Sequence, residues 1–187
     1  MDAPPQTHYD FFPQTLPSGP PPAGPFHVDV RQLRREFLQL QAQAHPDRHA
    51  GAAKPAAQAL SARINEAYKT LQSPLLRAQY LLSLRGETQH EDDAAKLGDA
   101  DDDQELLLEV LELRELIEEA ESEGQIRRLR GENGARMDES VGVLERAFRR
   151  DDLRAARGEA VRLRYWVNVE DTLHAWEEGK PAPNLQH

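Results

Sequence analysis

The spacing of apolar residues is the feature that most restricts the fold of this 187-residue chain. From Val30 to Trp176 they recur three or four positions apart, which is the period of an amphipathic helix. No stretch shows the alternation typical of a strand, and no repeat of solenoid length is present. The sequence therefore predicts an all-α protein, with a small helical module up to Gly86 and a three-helix bundle after it.

The N-terminal residues predict a short turn, a loop and then a long helix. A helical turn is expected at residues 9–12 with Thr7 as its cap. The proline-rich stretch 13–25 is expected to be an extended loop, because proline lacks an N–H and restricts its neighbour. Asp29 is a suitable N-cap for the first long helix. The buried stripe of that helix comprises Leu33, Phe37, Leu40 and Ala44.

Two further helices are predicted before the first module ends. One begins near Pro55, a tolerated position for proline in a first turn. Its buried stripe comprises Leu60, Ile64, Ala67, Tyr68 and Leu71. The other runs from Leu75 to Leu84 and is closed by Gly86.

The second half of the sequence predicts three helices separated by polar segments. Residues 87–103 are polar and acidic, which indicates a linker or the entry to a helix at about 104–123. The three glycines and mixed charges of residues 124–136 predict a loop, to which no role is assigned. Two more helices are expected at 137–149 and 153–176.

Composition excludes several classes of function. The chain has no cysteine, which removes disulfides, thiolate catalysis and thiolate zinc sites. No apolar run approaches the roughly 20 residues that cross a bilayer. Residues 1–86 hold nine Lys and Arg against six Asp and Glu, whereas residues 87–187 hold fourteen against twenty-seven. This asymmetry suggests two modules with different partners, and it argues against nucleic acid as a partner. The lack of a long apolar run argues against a membrane.

The segment His45-Pro46-Asp47-Arg48-His49 marks the predicted end of the first long helix. His45, Asp47 and His49 could bind a divalent ion, although Pro46 prevents an i, i+4 pair on one helix face. His45 and Asp47 could instead form a base–orienter pair, but no nucleophile motif accompanies them. In a purely structural interpretation, His45 caps the helix end and Pro46-Asp47 forms a turn. That interpretation explains each residue but not their combination with a basic helix face.

The order of motifs in the first module resembles a J domain. The resemblance covers residues 7–73 and rests on Tyr9-Asp10-Phe11-Phe12, His45-Pro46-Asp47-Arg48 and Ile64-Asn65-Glu66-Ala67-Tyr68-Lys69-Thr70-Leu71. It implies a co-chaperone that stimulates ATP hydrolysis by a DnaK-type heat-shock chaperone. The chaperone-binding residues that it implies are His45, Pro46, Asp47, Arg48, Arg31, Arg34 and Arg35. Many J domains carry further Lys or Arg where this chain has Gln39, Gln41 and Gln43, so electrostatic steering is expected to be weaker or tuned to a particular partner.

The acidic helix at 104–123 carries leucines on two sides. At 100° per residue, one arc is sufficient for the bundle core and contains Leu106, Val110, Leu113, Ile117 and Ala120, with Leu116 beside it. The other side contains Leu107, Leu108 and Leu111 among Glu112, Glu115, Glu118 and Glu119. Either a second layer of the protein covers these leucines, or they form an exposed apolar patch rimmed by carboxylates, which is typical of binding sites. On the last helix, Tyr165 points away from Leu163 and is either a recognition anchor or a surface tyrosine.

Both modules together resemble the HscB family, particularly its mitochondrial members. The residues that carry this resemblance are Leu75-Leu76-Arg77-Ala78-Gln79-Tyr80-Leu81-Leu82, Leu111-Glu112-Leu113-Arg114-Glu115 and Leu163-Arg164-Tyr165-Trp166. These proteins are J-type co-chaperones of iron–sulfur cluster biogenesis, and their C-terminal bundle binds the iron–sulfur cluster scaffold protein. The scaffold-binding positions that the resemblance implies are Leu107, Leu108, Leu111 and Tyr165, with Glu112, Glu115 and Glu119 nearby. Some members add a zinc module with paired Cys-x-x-Cys motifs, which this chain lacks, so no metal is implied.

These observations predict an adaptor and not an enzyme, with no cofactor of its own. The expected domains are a J domain with a Pro-rich N-terminal segment (1–86), an acidic linker (87–103), a scaffold-binding bundle (104–178) and a tail (179–187). The alternatives are a general J-domain co-chaperone with other client proteins and a hydrolase that uses His45 and Asp47. The resemblance implies the mitochondrial matrix, although no presequence is visible in this chain.

Overall fold

The computed structural model describes residues 7–44, 54–87 and 100–176, with side chains from Gln104 onward in the last range. Within these ranges the chain forms a 3-10 helix, His8–Phe11, and six α-helices, with no strand. The helices are α1 Val30–Ala44, α2 Lys54–Gln72, α3 Pro74–Leu84, α4 Ala100–Glu118, α5 Glu123–Arg149 and α6 Leu153–Ala175. The predicted all-α fold is confirmed.

Local capping explains where the helices of the first module begin and end. The Asp29 carboxylate accepts hydrogen bonds from the backbone N–H groups of Arg31 and Gln32, at 2.9 and 3.0 Å, as expected of an N-cap. Ser73 accepts from the N–H of Leu76 at the start of α3. Gly86 follows α3 with φ +78°, a left-handed conformation that glycine adopts without steric cost.

The extended loop predicted at residues 13–25 is wrong, because this stretch folds into successive turns. The backbone N–H groups of Gly19 and Gly24 donate to the carbonyls of Leu16 and Pro20. A Cβ at Gly24 would lie 2.0 Å from the Gly19 oxygen, so only glycine permits the compact path. The turns bury Leu16 and deliver Phe26 into the core, at 5% and 1% exposure.

The loop predicted at residues 124–136 is also wrong, because α5 runs through it without interruption. The helix begins at a capping box in which Ser122 accepts from the N–H of Gln125. Ile126 and Leu129 are 4% and 3% exposed, and their burial outweighs the roughly 1 kcal/mol that each internal glycine costs. The bounds predicted for the fourth helix, 104–123, also differ from those of α4, which begins at Ala100 and ends at Glu118.

Two hydrophobic cores lie along the α5–α6 hairpin. The first core joins the N-terminal segment and α1–α3 to one end of the hairpin, including Leu144, Ala147 and Phe148 of α5 and Ala156, Ala160 and Leu163 of α6. The second core joins α4 to the other end, through Leu106, Val110, Leu113, Ile117, Ile126, Leu129, Trp166, Val169 and Leu173. The hairpin therefore connects both ends of the molecule through continuous packing. The three-helix bundle predicted for the second half is present as α4–α6.

Polar contacts reinforce the junction at the first core. The Glu145 carboxylate accepts from the backbone N–H of His27 at 2.7 Å, and the rings of Phe26 and Phe148 stack at 5.2 Å. Arg77 is 3% exposed, and its guanidinium donates to the carbonyls of Leu71 and Phe26. The first module is thus fixed against the hairpin by both apolar and charged groups.

Candidate functional site

One candidate surface is the outward side of α1, which we call the basic face and define by Arg31, Arg34 and Arg35. All three arginines are exposed, whereas Leu33 on the opposite side is fully buried. The separation follows from helix periodicity, since residues three and four apart share a side. The basic face thus presents three cations to solvent along a single helix.

The motif predicted to act with the basic face, His45, Pro46, Asp47 and Arg48, lies outside the described residues. The metal and catalytic interpretations of His45, Asp47 and His49 fall in the same stretch. Its flanks are described, because α1 ends at Ala44 and α2 begins at Lys54. The metal, catalytic and chaperone-binding interpretations of this motif all stay predictions.

The α1–α2 hairpin holds those flanks together. The rings of Phe37 and Tyr68 stack with centroids 4.1 Å apart. The Gln41 side chain donates to the carbonyl of Ser61 and accepts from its hydroxyl, at 3.1 and 2.7 Å. Gln41 therefore has a packing role, and a cation at this position would lose the acceptor that Ser61 uses. Leu60, predicted to be buried, is 41% exposed because it borders an open groove between α1 and α2.

The second candidate surface is the outward side of α4, which we call the leucine face and define by Leu107, Leu108 and Leu111. These side chains are 48%, 56% and 52% exposed, whereas the core-facing Val110 and Leu113 are 6% and 3% exposed. Glu112, Glu115 and Glu119 are exposed around them. The alternative in which a second layer covers these leucines is wrong for the described part of the chain.

Tyr165, the predicted aromatic partner of the leucine face, is only partly exposed. Its ring packs against the second core, next in sequence to the buried Trp166. Leu163 lies in the first core, so neighbouring turns of α6 serve different cores. Part of the Tyr165 side chain is thus held by the protein itself, which reduces the entropy that it would lose on binding a partner.

One feature beside the leucine face was not found in the sequence. The Arg136 Nε and Glu109 Oε1 atoms are 2.7 Å apart, and the Arg136 guanidinium lies 5.7 Å from the centre of the Trp166 ring. We call these three residues the α4 clip. Its signal in the sequence was the spacing of Leu129, Asn133 and Arg136 along one helix face, which the predicted loop at 124–136 concealed.

Glu159 is a titratable group that lines a cavity beside the clip. Burial raises the pKa of Glu159, while a hydrogen bond from Ser140 and the charge of Arg162 act in the opposite direction.

Among the described residues, no group of three His, Asp or Glu side chains has the arrangement of a metal site. None of the helices within those residues is both long and apolar enough to cross a membrane.

The described residues form an all-helical protein with a basic face on α1 and a leucine face on α4. A family model described as the HSCB C-terminal oligomerisation domain matches residues 102–174. The mitochondrial J-type co-chaperone JAC1 of Saccharomyces cerevisiae is 32% identical over 174 residues, which cover 93% of this chain and 90% of that protein. The iron-sulfur cluster co-chaperone protein HscB of Homo sapiens is 32% identical over 79% of this chain and 62% of its own length.

Solved structures agree with these sequence comparisons. The Jac1 co-chaperone from Saccharomyces cerevisiae superposes with a TM-score of 0.75 at 29% identity, over 94% of this chain and 99% of that chain. The crystal structure of human HscB gives a TM-score of 0.75 at 29% identity, over 92% of this chain and 83% of that chain. The chain therefore belongs to the HscB family of J-type co-chaperones.

Proposed function

We propose that this protein is an adaptor that binds an iron–sulfur cluster scaffold protein and presents it to a DnaK-type heat-shock chaperone. The chaperone's ATP hydrolysis is stimulated by the adaptor, and cluster transfer from the scaffold is promoted. The observation that carries the proposal is the leucine face, where three leucines are about half exposed while the core-facing stripe of the same helix is buried.

The leucine face has the chemistry of a protein-binding site. Burying a leucine completely contributes about 1.5–3 kcal/mol, so Leu107, Leu108 and Leu111 together suffice for a modest hot spot. The exposed carboxylates of Glu112, Glu115 and Glu119 form a polar rim that favours a partner with basic residues around an apolar centre. Tyr165 supplies a partly ordered aromatic side chain.

The basic face, together with the adjoining His45, Pro46, Asp47 and Arg48, is proposed to bind the chaperone. The assignment is supported by membership of the J-type family and by the exposure of Arg31, Arg34 and Arg35. Asp47 would offer a carboxylate to an arginine of the chaperone, a pairing that can be bidentate. The ATP belongs to the chaperone, because the sequence of this chain contains no Gly-rich phosphate loop.

Joining the two faces in one body is the physical basis of the proposed mechanism. A scaffold bound to the leucine face is held near a chaperone bound at the other end, which raises their effective concentration. The continuous packing along the α5–α6 hairpin keeps that separation constant. The predicted J domain (1–86) and scaffold-binding bundle (104–178) correspond to these two roles, although the first core contains residues of both.

The site of action is proposed to be the mitochondrial matrix. The support is that JAC1 of Saccharomyces cerevisiae and jac1 of Schizosaccharomyces pombe are mitochondrial by name. Import assays of the complete gene product into isolated mitochondria test this: protection from added protease is expected, and full digestion would contradict it.

Scaffold binding is tested by the triple variant Leu107→Ala/Leu111→Ala/Tyr165→Ala. We expect its affinity for the scaffold to fall at least about thirtyfold, because two leucines and one aromatic lose roughly 2 kcal/mol or more of burial. The measurement is isothermal titration of scaffold into each variant. The matched control is Leu84→Ala, since Leu84 is 44% exposed on α3. Equal affinities for triple variant and wild type would favour a general J-domain co-chaperone with other clients.

A further inference from the structure

The apolar residues of α4 do not by themselves determine which side of the helix faces the second core. In its N-terminal half, Leu106 and Val110 face the second core, whereas the next residue in each case, Leu107 or Leu111, faces solvent. A rotation of about 100° would exchange these pairs with little change in buried apolar area. In the C-terminal half the same rotation would bury Arg114 and Glu118 in place of Leu113 and Ile117, which is unfavourable. Only the N-terminal half is therefore ambiguous in its apolar pattern, and turning this half alone would require local unwinding of the helix.

The α4 clip acts on this ambiguous half. Glu109 lies between Leu108 and Val110 in sequence, and its carboxylate accepts the 2.7 Å hydrogen bond from Arg136. The two side chains are 36% and 28% exposed, so the bond is partly shielded from water. A charge-assisted bond of this length is among the stronger polar contacts in proteins.

The position of Arg136 is itself fixed. Its guanidinium lies 5.7 Å from the centre of the Trp166 ring, and Trp166 is 2% exposed. The buried Asn133 amide donates to the Trp166 carbonyl at 3.0 Å and to the Glu170 carboxylate at 2.9 Å. Arg136 thus extends from a rigid part of the α5–α6 hairpin, and Glu109 is the group that must move if α4 turns.

Apolar packing holds α4 on its core side, whereas the side of the clip borders a cavity. A cavity of about 250 Å³ lies there, and its lining is mostly polar: Glu109, Arg136, Glu139, Ser140, Val143, Glu159, Arg162 and Trp166. A helix that borders a polar cavity lacks the interlocked side chains that fix rotation in a dry core. On this side of α4 the ion pair is therefore the polar contact that resists rotation, and it acts together with the packing of Leu106 and Val110 in the second core.

We propose that Arg136 is a positioning residue for scaffold recognition. By holding Glu109, it sets the rotation of the N-terminal half of α4 and keeps Leu107 and Leu111 directed to solvent. The inference rests on the proposed function for its consequence in scaffold binding. The rotation itself is a property of the free protein and can be measured without any partner.

Because the chain has no cysteine, single reporters can measure the rotation. Val110→Cys and Leu111→Cys are made separately in the wild-type, Arg136→Met and Arg136→Lys backgrounds, and their rates of reaction with a maleimide are compared. We expect the Leu111→Cys reporter to react at least tenfold faster than the Val110→Cys reporter in the wild type. Arg136→Met should reduce this ratio to about threefold or less, and Arg136→Lys, which keeps the cation, should restore most of it.

The matched control is Arg157→Met, because Arg157 is also 28% exposed and forms an ion pair with Glu87 at the other end of the hairpin. It should leave the ratio unchanged. If Arg136→Met does not fold, Glu109→Gln serves as the second variant, since it removes the charge on α4 and leaves Arg136 over Trp166. A ratio that stays at the wild-type value in the folded variant would overturn the positioning role.

Scaffold affinity is measured on Arg136→Met without a reporter cysteine, and it is expected to fall about tenfold. A changed labelling ratio with unchanged affinity would show that the clip sets the rotation of α4 but that the leucine face is not the scaffold site. The failure of the positioning role and the failure of the proposed function are therefore distinguishable.

Discussion

Helices α1 and α4 differ in the residues that they expose to solvent. Each buries one side against a core, α1 through Leu33 and Ala44 in the first core and α4 through Val110 and Leu113 in the second. The free side of α1 carries three arginines around one exposed leucine, Leu38, whereas the free side of α4 carries three leucines surrounded by carboxylates. What a helix exposes after its core is satisfied indicates the kind of partner it serves.

The two faces should therefore respond to different conditions. Exposed charges mainly speed encounter and are screened by salt, whereas apolar contacts mainly slow dissociation and resist salt. We expect chaperone association to depend strongly on ionic strength and scaffold affinity to depend on it less, through the carboxylate rim of the leucine face.

The largest effect that separates the two ends is expected from His45→Gln. The substitution should reduce chaperone stimulation to the unstimulated rate of ATP hydrolysis, because the J-domain resemblance places His45 at the chaperone contact. Scaffold affinity should be unchanged, since the leucine face lies on α4, a helix that packs in the second core and not in the first. Single-turnover hydrolysis and titration calorimetry measure the two quantities, and circular dichroism verifies the fold. Retained stimulation would count against the J-domain assignment.

Arg77→Met should instead weaken the first core. The guanidinium donates to two buried carbonyls, at Leu71 and Phe26, and lies 4.9 Å from the centre of the Phe26 ring. Leaving a buried acceptor unsatisfied costs about 1–3 kcal/mol, partly offset because a buried cation is no longer desolvated. We expect a loss of about 2 kcal/mol in the free energy of unfolding, measured by urea denaturation.

The control for that experiment is Arg85→Met. Arg85 binds the Asp151 carboxylate, but its side chain is 38% exposed, so a loss below about 1 kcal/mol is expected. Equal losses in the two variants would show that the buried Arg77 stabilises the protein no more than an exposed ion pair does.

Replacing Arg31, Arg34 and Arg35 by alanine tests how much the basic face contributes to association with the chaperone. The association rate with the chaperone should fall about tenfold at low salt. The difference should disappear near 1 M salt, where the Debye length is about 3 Å. Stopped-flow fluorescence measures these rates, with an Arg127→Ala/Arg128→Ala/Arg150→Ala protein as a control that removes the same charge. If the control slows association as much, net charge rather than the basic face governs encounter.

The smallest predicted effect is a pH dependence in the bundle. Burial raises the pKa of Glu159, so the folded state binds the proton more tightly than the unfolded state. Stability is therefore lost as pH rises from the usual glutamate pKa through the raised value, and it stays lower above that range. Glu159→Gln should remove this loss and melt at a higher temperature than the wild type at pH 7. An equal fall in melting temperature from pH 4 to pH 7 in the variant and in the wild type would contradict this.

The helical periodicity predicted the all-α fold and the side of α4 on which Leu107, Leu108 and Leu111 lie, because both depend on residues close in sequence. It failed where distant contacts decide the structure. The glycines of residues 124–136 favour a loop locally, but burial of Ile126 and Leu129 keeps them helical. The α4 clip joins residues 27 positions apart, and recognising it requires knowing that this stretch is helical. The first core likewise depends on α5 and α6 side chains that return to the N-terminal module.

We propose that one protein body couples scaffold binding to ATP hydrolysis by the chaperone. Single-turnover hydrolysis by a DnaK-type chaperone should be measured with this chain and scaffold, separately and together, for wild type and the Leu107→Ala/Leu111→Ala/Tyr165→Ala variant. Wild type and variant should stimulate equally without scaffold, and scaffold should add a further acceleration only with wild type. An equal acceleration by scaffold with both proteins would contradict the claim.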